Sequence, residues 1–164
     1  MAEPTTWAHD EAVTRAFYGA VVNVAVVTVF AAESLQPPPA KAIGGVVVSA
    51  VILFIAHGFA ELVPRIARSG RLTRSDLRTV SVDEFPLLAV AVIPIVPLAL
   101  GAMGALDQSA AYRVSVGVTL LALFLLAIGL CRREGLSWGR TFAAGLAIAA
   151  GTSLVIYLEA LITH

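Results

Sequence analysis

The chain has 164 residues, 59% of them hydrophobic and 13% charged, where an ordinary soluble domain is roughly a quarter charged, so a water-soluble fold of this size is excluded. Eleven basic and eleven acidic residues leave no net charge, which makes no electrostatic case for nucleic acid. The single cysteine, Cys131, excludes an intramolecular disulfide framework and any CxxC zinc or redox motif.

The opening MAEPTTWAHDEAVTR holds three acids and no apolar core, so it is neither a secretory signal nor an Arg-rich transit peptide, and the first apolar run is expected to be retained. Crossing a hydrocarbon core takes about 20 mostly apolar residues in a helix. Five runs of about that length lie near 16–34, 43–63, 85–105, 112–131 and 141–161. They are apolar on all sides instead of alternating, which argues against a membrane β-barrel. The expected fold is all-α, a single membrane domain of five spans.

The first run carries one polar interior residue, Asn23, and ends near Glu33. QPPPA, at 36–40, cannot continue a helix and predicts a tight connection. The second run, SAVILFIAHGFAELVPR, is the only one with paired ionisable groups. His57 and Glu61 stand four residues apart, hence on one helix face. Imidazole exchanges protons near neutral pH, and a carboxylate one turn away can fix its tautomer or stabilise imidazolium. Pro64 is expected to turn or end this helix and to carry Arg65 off the His57/Glu61 stripe. Asn23 lies as far in from Arg15 as His57 lies from Arg65, so the two are expected to meet at one depth.

The stretch 64–84 reads as an Arg-rich loop containing a short interfacial helix, with a T-x-x-D capping pattern at Thr73 and Asp76. Its Arg65, Arg68, Arg71, Arg74 and Arg78 serve as a topology signal and as candidate ligands of anionic lipid headgroups. Asp83 is the expected N-cap of the third span, and Pro94 and Pro97 predict a kink in it by freeing the carbonyls of Val90 and Ile93. Asp107, Gln108 and Ser109 form the next turn, and REGLSWG, at 133–139, the last. In the fifth run Ala143, Ala147 and Gly151 make one small-residue stripe, and Gly145, Ala149 and Ser153 an adjacent one, both suited to close helix packing. Glu33 and Glu159 are candidates for an acidic outer mouth. Tyr18, Tyr112, Trp138 and Tyr157 are expected at the membrane interface.

Nine basic residues fall on one side of this topology, and only Lys41 and Arg113 on the other. The positive-inside rule then sets the N-terminus in the cytoplasm and the C-terminal His164 outside. The near-exclusive use of arginine hints at a GC-rich bacterial genome, hence an inner membrane.

Two His/Glu ligands fall short of the roughly four of a closed zinc site, so no metal or cofactor is expected. No nucleophile–base pair or phosphate-binding glycine loop appears. The sequence therefore points to a small proton or cation channel or transporter, its path passing Asn23, His57 and Glu61, with a homo-oligomer favoured because five short helices enclose little space. The competing class is a non-transporting assembly or anchoring subunit that docks a membrane partner through small-residue faces and the Arg-rich loop. A membrane enzyme acting on lipid, with His57 and Glu61 as acid and base, is a third class.

Overall fold

A computed structural model describes residues 4–33, 36–133, 135–143, 145–147 and 150–151. Among these residues the fold is all-α, with no strand. Helices α1 Pro4–Ala32, α2 Pro39–Ser69, α3 Arg74–Ala89, α4 Val92–Ala102 and α5 Gln108–Arg133 follow one another, and residues 138–143, 145–147 and 150–151 are helical as well.

Three stretches are long and apolar enough to cross a bilayer, namely Glu11–Ala32, Pro39–Ser69 and Gln108–Arg132, with 22, 31 and 25 residues. At 1.5 Å per residue they reach about 33 to 47 Å, against a hydrocarbon core of about 30 Å. Helices α3 and α4 together qualify as a fourth, bent by 47° at their junction. The fifth expected run is helical at 141–143, 145–147 and 150–151. Its remainder, with Tyr157, Glu159 and His164, lies outside the described residues. Ile52, Phe59 and Val63 of α2 and Leu121 and Leu125 of α5 turn outward and are more than half exposed. Lipid is the solvent that suits such a surface.

The bend has a local cause. Pro94 has no N–H to offer the Val90 carbonyl, and the N–H of Ile93 takes its place at 3.2 Å in a tighter turn. The hydroxyl of Ser115, on α5, donates to the Pro94 carbonyl at 2.9 Å across the buried interface. The expected proline kink is present, placed at Val90 and Ala91, ahead of both prolines.

Two expectations are corrected. Residues 64–84 are mostly helix, because α2 runs through Pro64 to Ser69 and only 70–73 connect it to α3. A proline forfeits one hydrogen bond, which a 31-residue helix absorbs; α2 stops instead at Gly70, whose φ of 68° suits glycine and whose N–H closes on the Ile66 carbonyl at 2.8 Å. Asp83 is no N-cap but an interior residue of α3, which begins at Thr73 with the capping box that the T-x-x-D pattern announced. Tyr112, near the start of α5, is fully buried, and its hydroxyl donates to the Pro37 carbonyl in the α1–α2 connection at 2.9 Å.

The core lies where α1 packs against α2, α3 and α5, and α4 against α2 and α5. Val27, Ala42, Val46, Ala91, Leu98 and Tyr112 form its larger part, and Ala20, Val24, Val90 and Leu123 a second. Gly19 brings α1 against the α3–α4 junction so closely that a Cβ there would lie 2.8 Å from Val90 Cγ1. Arg15, one turn before Gly19, and Glu84, three residues before Leu87, meet beside that approach.

Candidate functional site

Arg15 of α1 is the hub of a charged cluster. Its Nε lies 3.0 Å from Glu84 Oε1 on α3. Its Nη2 lies 3.5 Å from Glu11 Oε2, one turn back, and 3.9 Å from Glu61 Oε1 on α2. Its Nη1 donates to the Asp83 carbonyl at 3.2 Å. A guanidinium carries five donors in a fixed fork, so one side chain can engage three helices where a lysine ammonium is a compact point charge.

Glu84 is 1% exposed, and its second oxygen, Oε2, is buried without a hydrogen-bond partner. A buried carboxylate left half satisfied is rare and points to strain or function. Neither Glu84 nor Arg15 is among the residues that sequence reasoning singled out for chemistry. A signal existed: Glu84 directly precedes the apolar run that begins at Phe85, and Arg15 stands in the same position before the first.

His57 and Glu61 do share a face of α2 and border this cluster. The Nδ1 of His57 is 3.2 Å from the Leu53 carbonyl. A carbonyl only accepts, so Nδ1 carries the hydrogen in this bond. The imidazole packs on Tyr18 of α1, ring centroids 5.3 Å apart. Glu61 reaches Arg65 at 3.8 Å as well as Arg15. Arg65 thus stays on the stripe, contrary to expectation, because α2 continues past Pro64. The Glu61 side chain is 46% exposed, yet it faces a charged cavity of about 500 Å³ shared with Arg65, Arg68, Ser69, Arg71, Thr73 and Asp76.

Asn23 is 1% exposed and its Nδ2 has no hydrogen-bond partner. That amide nitrogen therefore makes no bond to His57, with which a shared depth was expected. By helix rise Asn23 sits about 12 Å deeper than Arg15. Further buried polar groups follow on α5, where Thr119 donates to the Ser115 carbonyl at 2.7 Å.

Glu33 is exposed at the opposite end of α1, and its expected companion Glu159 lies outside the described residues. Nearby, Asp107 accepts from the Ser109 hydroxyl and the Ala110 N–H, which hold its carboxyl below the usual aspartate range. Of the five loop arginines, Arg74 and Arg78 lie outside the cavity lining. Among the described residues no three His, Cys, Asp or Glu side chains converge as metal ligands. Comparison with family models, curated proteins and solved structures returns no match.

Proposed function

We propose that this protein conducts protons or cations across a bacterial inner membrane, N-terminus in the cytoplasm, its inner entrance formed by Glu61, His57, Arg15 and Glu84. The observation that carries this reading is the Glu84 carboxylate, sealed at 1% exposure with one oxygen on Arg15 and the other unpartnered. Ionisable groups inside membrane helices are expensive to insert and by default serve a path. Around one guanidinium stand Glu11, Glu61 and Glu84. That arrangement favours protons over metal cations, because the fixed positive charge repels a cation while neighbouring carboxylates can exchange a proton. Asn23, Thr119 and Ser115 are the further buried polar groups that such a path would use toward the outer side, where Glu33 would collect cations. A homo-oligomer would supply the walls that one short bundle lacks.

The test is flux into proteoliposomes carrying a trapped pH-sensitive dye. His57→Ala, Glu61→Gln and Glu84→Gln are each expected to lower proton flux at least tenfold. Parent-level flux in all three, or no flux above empty vesicles in the parent, overturns the reading. A second reading, a non-transporting assembly subunit, draws on the stripe of Ala143, Ala147 and Gly151, all exposed and so available to a partner helix. It predicts a stoichiometric membrane partner on purification and unchanged behaviour of the His57 variant.

A further inference from the structure

The charged cavity at the α2–α3 junction is built differently from the Arg15 cluster that it adjoins. The α2 helix ends in Arg65, Arg68 and, past the left-handed Gly70, Arg71. The Ser69 hydroxyl fixes that turn, placed 2.9 Å from the Arg65 carbonyl and 2.8 Å from that of Arg71. Three guanidinium groups are thereby brought to one cavity.

The anionic groups lining it are already engaged. Glu61 faces Arg15 and Arg65. Asp76 accepts from the Thr73 N–H at 3.0 Å, while its own N–H is capped by Thr73 Oγ1 at 3.2 Å. The α3 N-terminus therefore offers little to an anion, and the arginines must do the binding. Arg68 and Arg71 belong to no ion pair among the described residues, and the Nε of Arg68 donates to the Pro64 carbonyl at 3.2 Å.

Depth identifies the occupant. The apolar run of α2 ends at Val63, and Arg65 and Arg68 follow about 3 and 7.5 Å further along the axis. The headgroup layer on each side of a bilayer is about 5 to 7 Å thick. Ile66, Leu72 and Leu77, close in sequence to the cavity residues, are exposed apolar side chains, which suit acyl chains and not water.

We propose that this cavity binds the phosphate of an anionic phospholipid headgroup through Arg65, Arg68 and Arg71, with Arg74 and Arg78 outside the site. The proposal does not depend on proton conduction. Guanidinium matches phosphate oxygens in a bidentate fork, and each basic residue near an anionic surface adds affinity.

The experiment is native mass spectrometry of the full-length chain in detergent, titrated with phosphatidylglycerol, phosphatidylcholine or inorganic phosphate, alongside the unfolding temperature. The parent is expected to retain phosphatidylglycerol and to gain stability from it in preference to phosphatidylcholine. Arg68→Gln/Arg71→Gln is expected to bind about thirtyfold more weakly, and Arg74→Gln/Arg78→Gln within about threefold of the parent. Equal losses in the two double variants would mean a diffuse surface charge and overturn the site. No preference for phosphatidylglycerol in the parent overturns it too, whether or not the variants fold. If inorganic phosphate stabilises the parent as well as the lipid does, the lipid assignment is wrong and the occupant is a soluble phosphate.

Discussion

Replacing Arg15 by leucine strands Glu84. The carboxylate is 1% exposed, and Arg15 supplies its partnered oxygen at 3.0 Å. Removing one partner of a buried ion pair destabilises by about 3–5 kcal/mol, because the remaining charge is uncompensated. A stranded carboxylate has an escape, which is to take up a proton; for a glutamate of ordinary pKa, about 4.3, this costs about 3.7 kcal/mol at pH 7. That figure caps the Glu84 contribution at neutral pH. The folded variant then binds one more proton than the unfolded chain above pH 4.3, so its stability falls as pH rises. Lowering pH from 7 to 5 should return about 2.7 kcal/mol of the loss. Changing both residues to leucine removes the stranded charge and should recover most of the stability at pH 7. Thermal unfolding in detergent followed by circular dichroism measures this, at about 2–4 °C per kcal/mol for a chain of this length. If Arg15→Leu unfolds within about 2 °C of the parent, or the double leucine variant is no more stable than the single, the Arg15–Glu84 pair is not what locks α1 to α3.

Tyr112→Phe removes the hydroxyl that reaches Pro37, while Gln108 Nε2 still donates to that carbonyl at 3.1 Å. A loss of about 1 kcal/mol is expected in the same unfolding assay, with helicity unchanged. Gly19→Ala would set a methyl 2.8 Å from Val90 Cγ1 and 3.2 Å from the Leu87 carbonyl oxygen. Separating α1 from the α3–α4 junction should cost about 1–3 kcal/mol. By contrast Gly44→Ala meets nothing within 4 Å and should be neutral or stabilise by up to about 1 kcal/mol.

What was legible in the sequence follows the range of the interaction involved. Apolar stretches for α1, α2 and α5 could be read because burial in lipid depends on composition over about 20 residues. The start of α3 could be read because a capping box is complete within four residues. Pro64 misled because its local penalty is one hydrogen bond, outweighed by a helix that ends properly at Gly70. His57 and Glu61 were visible as a pair within one helix, whereas Arg15 and Glu84 are 69 positions apart and become a pair only when Gly19 lets α1 close on the α3–α4 junction.

That separation bears on function. A guanidinium that joins three helices through carboxylates is both a structural lock and a device for sharing protons, and geometry alone serves either role. The two roles diverge at Glu84→Gln. The amide keeps the size of the side chain and an oxygen for Arg15 Nε, so the lock is weakened but retained, while the titrating group is gone. A purely structural Glu84 makes this variant a modest loss of stability with flux intact. A proton-carrying Glu84 makes it a folded protein that conducts nothing, and the ratio of those two effects assigns the role.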